Sequence, residues 1–82
     1  MNKIYQIYQL SDSTGETLDR IFLAIKAQFS NFSCKTIHYS FTRTKNQIDK
    51  IISKSQNEKN VIILYTIVDN ELAKYIRILL IY

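Results

Sequence analysis

The amino-acid pattern switches repeatedly between two periods, and this switching constrains the fold more than any other feature of the chain. Residues 4–10, IYQIYQL, are rich in Ile and Tyr and end at the turn-like SDSTG, which predicts a strand apolar on both faces. From Glu16 the period lengthens. Leu18, Ile21, Phe22, Ile25 and Phe29 recur at helical spacing, with Asp12, Ser13 or Thr14 placed to cap the start. Residues 35–41 alternate again, with Ile37, Tyr39 and Phe41 on one side and Thr36, His38 and Ser40 on the other. Thr44 followed by Gln47 has the form of a capping box, and Ile48, Ile51, Ile52 and Ser55 continue one stripe to a helix end near Gln56. The run VIILYTI, residues 61–67, is the composition expected of a central strand covered on both faces. Asp69 then caps a third helix whose Leu72, Ile76, Leu79 and Leu80 face a core, while Ile78, Ile81 and Tyr82 make its other side apolar as well.

Three strands alternating with three helices predict an α/β fold, βαβαβα, in which right-handed crossovers make the sheet parallel with strand order 2-1-3. That is half of a doubly wound, Rossmann-like domain. Eighty-two residues hold one such domain, 1–82, and its apolar last turn implies that a partner or further chain covers it.

Composition removes several function classes. One cysteine, Cys34, excludes an internal disulfide, and one histidine, His38, leaves no cluster for structural zinc. The net charge of +4 comes from scattered Lys and Arg rather than a stripe, so no nucleic-acid partner is expected. The opening MNKIYQIYQL lacks the features of a secretory signal, and the apolar runs VIILYTIV and IRILLIY are far short of the roughly 20 residues of a membrane span. A cytoplasmic location without a membrane is the expectation.

In an open parallel sheet, ligands bind beyond the carboxyl ends of the strands where the winding reverses. That rule selects SDSTGET (Ser11, Asp12, Ser13, Thr14, Gly15, Glu16, Thr17), the TRT of residues 42–44 with Arg43, and TIVDN of residues 66–70 with Thr66 and Asp69. Hydroxyls, backbone N–H groups around one glycine and a helix start suit a phosphate or carboxylate, to which Arg43 adds a forked donor. Asp12 and Glu16 oppose an anion by repulsion and suit a metal or a substrate hydroxyl equally well. Ser, Asp and Thr before a helix are also ordinary caps, and an arginine such as Arg43 is more often a solvated surface residue than a ligand. SDSTGET is neither a phosphate-binding P-loop nor a dinucleotide fingerprint, both of which need more glycines. No side chain is assigned a catalytic role and no group of residues a metal.

IYQIYQLSDSTGETLDRIFLAIKAQF, FTRT and VIILYTIVDNELAKYI together resemble the start of the pyruvate, phosphate dikinase regulatory proteins, a family that includes the PEP synthetase regulatory proteins. The resemblance covers essentially the whole chain, and its most specific pieces are SDSTGET with its following QF and the YT-V-D-EL pattern of residues 65–72. It implies a bifunctional regulator: a Ser/Thr kinase that uses ADP to inactivate the dikinase, and a pyrophosphorylase that uses inorganic phosphate to restore it. Ser11 to Thr17 match the family's first loop, and Arg43, Thr44, Thr66 and Asp69 match its neighbours. The family's glycine-rich ADP-binding loop belongs to a later part of a longer chain, so the resemblance implies a truncated and inactive piece. Two other readings stand beside it: a non-enzymatic module that holds an anion or docks the dikinase, and a decayed gene fragment.

Overall fold

The computed structural model describes residues 3–29, 31 and 33–81. The elements follow in the order β1 (Ile4–Ser11), α1 (Glu16–Lys26), β2 (Ser33–Tyr39), α2 (Lys45–Gln56), β3 (Val61–Thr66) and α3 (Asn70–Ile81). The strands form one parallel sheet in the order β2-β1-β3. This is the α/β arrangement of a Rossmann-like half.

Register and pleat decide what each face carries. Tyr8 lies opposite Ile37 and Ile63, and Leu10 opposite Tyr39 and Tyr65. Because side chains alternate along a strand, these six share one face, and α2 and α3 close over it. The resulting core of Tyr8, Leu10, Ile48, Ile51, Ile52 and Ile76 is 0–6% exposed. The Tyr8 and Tyr39 rings meet at a centroid distance of 5.6 Å, tilted by 51°. Beside them, Gln6 donates from Nε2 to Glu58, so the central strand is also anchored at the opposite end from its loops. The other face pairs Ile7 with Ile62 and Gln9 with His38 and Leu64. Among the described residues only α1 covers it, through the buried Leu18 and Phe22.

Several expectations need correction. VIILYT does not run through the middle of the described sheet; β1 does, and Ile62 of β3 is 37% exposed. The helical stripe of α1 is buried only at Leu18 and Phe22, while Ile21 and Ile25 are about half exposed. Phe29 lies beyond the end of α1, in the turn that follows. β2 ends at Tyr39, and Phe41 leaves the strand with a left-handed backbone (φ 55°) and a half-exposed ring. On α3, Ile76 is buried and Leu72 and Leu79 pack against the core, but Leu80 points away from it. Tyr82 and the side chain of Ile81 lie outside the described residues. Among the described residues, no helix is long and apolar enough to cross a membrane.

Candidate functional site

All three strands deliver their loops to one end of the sheet, and the helix that follows each loop starts there. The starts differ. Thr44 caps α2 in a complete capping box: its hydroxyl accepts from Gln47 N at 3.2 Å, and Gln47 Oε1 accepts from Thr44 N at 3.0 Å. Asp69 caps α3, its carboxylate accepting from Leu72 N at 3.0 Å. α1 starts on Gly15, whose left-handed backbone (φ 86°) takes the cap position with no side-chain hydrogen bond. The expected caps Asp12, Ser13 and Thr14 are therefore not used as such. Thr14 Oγ1 approaches Glu16 N only to 3.5 Å. The first turn of α1 carries Glu16 and Asp19, which complement its positive end themselves.

Asp12, Ser13 and Thr14 instead brace the loops against one another. Asp12 Oδ2 accepts from Val68 N at 2.8 Å, which ties the first loop to the third across the switch point. Its backbone carbonyl accepts from Arg43 Nε at 3.0 Å, which ties the first loop to the second. Ser13 O accepts from Phe41 N at 2.9 Å, Ser11 O from Thr42 N at 2.8 Å, and Thr14 O from the Ser40 hydroxyl at 2.9 Å. Within the loop, Ser11 Oγ accepts from Ser13 N at 3.1 Å and lies 3.2 Å from Ser13 Oγ. A side-chain oxygen that closes a turn two residues on is the usual role of serine in such loops. The Asp12 carboxylate is thus committed to a backbone donor while keeping its negative charge beside the loop.

Arg43 lies on the rim, its guanidinium 5.1 Å from the centre of the Phe41 ring. Gln47 fixes that second loop further: its Oε1 also accepts from Arg43 N at 2.7 Å and its Nε2 donates to Phe41 O at 3.2 Å. A hollow of about 230 Å³ bordered by Tyr39, Ser40, Thr42, Gln47, Lys50 and Ile51 opens beside it.

Ser11, Asp12, Ser13, Thr14, Gly15, Glu16, Thr17, Arg43, Thr66 and Asp69 therefore lie at one end of the molecule. Ser11 and Thr66 are register partners, and Asp69 follows the Val68 that Asp12 holds. Thr66 meets the first loop through its backbone, its carbonyl accepting from Asp12 N at 3.4 Å, while the residue is exposed, and the Asp69 side chain caps its own helix. Ser40, Phe41 and Gln47 join the site although sequence reasoning did not place them in it, and the Thr42 of the expected TRT loop proves to be buried. Their adjacency to TRT was the one available signal, since nothing about a phenylalanine announces a left-handed backbone. Directly below the loops, Gln9 is 2% exposed and donates to Asp19 at 3.2 Å, while its Oε1 finds no partner among the described residues. A buried acceptor left so costs about 1–3 kcal/mol.

With this geometry in view, comparison with known proteins is specific. The family model described as kinase/pyrophosphorylase matches residues 7–79. A Pelagibacter ubique protein named "Putative pyruvate, phosphate dikinase regulatory protein" is 59% identical over 76 residues, 93% of this chain and 28% of its own length. Proteins of the same name from Geotalea uraniireducens and a Thermoanaerobacter species are 41% identical over 71 residues and 37% identical over 76. The chain spans little more than a quarter of these relatives, 26% and 28% respectively for the latter two. No solved structure matches it. A match that runs from the buried Ile7 of the central strand to Leu79 of the last helix takes in every braced loop described above, and the chain belongs to the kinase/pyrophosphorylase family.

Proposed function

We propose that this chain forms part of a phosphotransfer regulator of pyruvate, phosphate dikinase, one that phosphorylates its target with ADP as donor and removes the phosphate with inorganic phosphate as acceptor. The observation that carries this reading is the family match over residues 7–79, together with relatives named as regulators of that dikinase. The loops at Ser11 to Thr17, with Arg43, Thr66 and Asp69, serve in it as the end that receives an anionic group, either free phosphate or the target's phosphorylated residue. Supporting that role are the Arg43 guanidinium held on the rim and the start of α1, where no side-chain hydrogen bond closes the cap although Glu16 and Asp19 in the first turn already offset part of its positive end. ADP is held elsewhere in the family's longer chain, because one glycine and no lysine in this loop make no nucleotide cradle. Phosphoryl transfer depends on positioning and charge neutralisation together, so the 82 residues by themselves turn over nothing.

The test uses two proteins: the purified chain, and a chimera in which it replaces the matching stretch of the Pelagibacter ubique relative. With dikinase and ADP, the chain is expected to transfer no phosphate and the chimera to transfer it catalytically. Arg43→Ala and Ser13→Ala in the chimera are each expected to lower the rate about tenfold or more at unchanged melting temperature. Turnover by the chain without the graft, or a chimera indifferent to both substitutions, overturns the reading.

A further inference from the structure

On the α1 side of the sheet, an open groove of about 240 Å³ runs between α1 and β3. Ile7, Phe22, Ile25, Phe29, Ile62 and Leu64 line it, with the side chain of Lys26 at hand as its one charged member. Ile25, Phe29 and Ile62 are 48%, 59% and 37% exposed. A contiguous apolar hollow of this kind marks a surface built to be covered.

We infer that this groove seats a helix supplied by the part of a family chain lying outside the stretch matched here, and that the same part pairs a strand with the outer edge of β3. Three observations converge on that occupant. The first is handedness. In chain order α1 joins β1 to β2 across one face, where it packs on β1 and β3, and α2 joins β2 to β3 across the other. α3 packs on the α2 face, and a right-handed crossover from β3 over that face carries a chain past β3 and away from β2. Among the described residues no strand pairs with the outer edge of β3, so a continued sheet adds its next strand there.

The second is composition. A continued sheet makes β3 an inner strand, and VIILYT is the β-branched run of a strand buried on both faces. Its inner partner face, through Val61, Ile63 and Tyr65, already packs on the core. Ile62 and Leu64 are the side left to cover, and they line the groove. On the same face of β1, Gln9 Oε1 is a buried acceptor still without a donor.

The third is length: the relatives are more than three times as long as the stretch they share with this chain, so the family holds ample sequence for a strand and a helix. A second copy of this chain is the poorer occupant. It brings Lys26 and a net charge of +4 to both sides of the contact. An incoming helix with an acidic residue at the Lys26 rim avoids that repulsion.

The chimera with the Pelagibacter ubique relative tests this through structure alone, independently of activity, so an inactive but well-folded chimera would sink the proposed function and leave this inference standing. Hydrogen exchange of the peptides spanning 22–29 and 61–66 is expected to slow at least tenfold in the chimera relative to the isolated chain. Ile62→Asp is expected to shift the melting temperature of the isolated chain by only a few degrees, and that of the chimera by more than about ten degrees. Sedimentation of the isolated chain is expected to show a monomer. Equal exchange in the two proteins, equal tolerance of Ile62→Asp, or a graft that fails to fold overturns the inference. So does a dimer of the isolated chain that Ile62→Asp dissociates, since the second copy would then be the occupant.

Discussion

On one face of the sheet, Tyr8, Leu10, Ile48 and Ile76 are wholly shielded from water, and Ile51 and Ile52 nearly so. On the other, Ile7, Leu18 and Phe22 reach similar burial, yet Ile21, Ile25, Phe29 and Ile62 stay 37–59% exposed. The side chains are of the same kind on both faces. The difference is that two helices close the first and one helix the second, because winding a sheet in the order β2-β1-β3 sends one crossover to one side and places α2 and α3 on the other. Burial here is a property of coverage. Apolar content sets which face of an element turns toward the sheet, and the number of layers above that face sets whether water is removed.

The sharpest way to break this comparison is to truncate matching isoleucines on the two faces. Ile76→Ala, in the closed core, is expected to destabilise the chain by about 2–5 kcal/mol, because the neighbours of a fully buried side chain cannot collapse into the space it leaves. Ile25→Ala, beside the open groove, is expected to change stability by no more than about 0.5 kcal/mol. Urea titrations of the two variants against the parent measure both. Against a total of about 5–15 kcal/mol for a typical domain, the first loss is large, and equal losses would mean that the two faces are packed alike.

The same contrast explains what was legible in the sequence. The switching of period located all three strands and all three helices, and the capping signals at Thr44 and Asp69 were read correctly because each acts within its own helical turn. β3 ends at Thr66 and β1 at Ser11, each one residue from the end its pattern suggested. The exposure of Ile21 and Ile25 was not legible. Their spacing matches that of Leu18 and Phe22, and periodicity carries no information on how wide the opposing surface is. The sheet position of β3 was misread for a related reason: a β-branched run reports the environment that suits a strand, and the strand that supplies it need not lie within these residues. At the candidate site the loops were placed correctly, but the task of each side chain was not. Asp12 and Ser13 look like caps in the linear sequence, and their actual partners, Val68 N and Ser11 Oγ, depend on where the third strand ends and on how tightly the turn closes.

Helix starts carry the comparison to the site with smaller effects. α1, on the open face, begins on Gly15, where a Cβ would have room, since its nearest neighbours lie 3.7 Å away. Gly15→Ala is therefore expected to cost about 1–2 kcal/mol through the left-handed backbone rather than through a clash. Gly15→Asn should recover part of that loss, since asparagine visits this region more readily. If alanine and asparagine are equally tolerated in thermal melts, the loop does not hold the conformation described. α2, on the closed face, depends on its side-chain cap. Thr44→Ala is expected to cost about 1 kcal/mol, whereas Thr14→Ala, whose hydroxyl lies 3.5 Å from the nearest α1 amide, should be close to neutral in the same melts.

The smallest effect appears only in alkali, and it tests how dry the closed face is. Burial, more than the nearby Glu58 carboxylate and the Tyr39 ring, raises the Tyr8 phenol above its ordinary value of 10.0. The folded chain therefore keeps this proton to higher pH than the unfolded chain does. The corresponding stabilisation is complete below pH 10.0 and is lost as pH rises through that value toward the higher folded pKa, because the unfolded state ionises first. Urea midpoints measured between pH 8 and pH 11 are expected to fall for the parent, and to fall less steeply for Tyr8→Phe, which has no proton to release at that position. Phenylalanine fills nearly the same volume, so packing beneath α2 and α3 is kept and the difference in slope isolates the phenol. A Tyr8→Phe variant with the parent's slope would mean that water already reaches this side chain, and the two faces of the sheet would then differ in coverage without differing in solvent access.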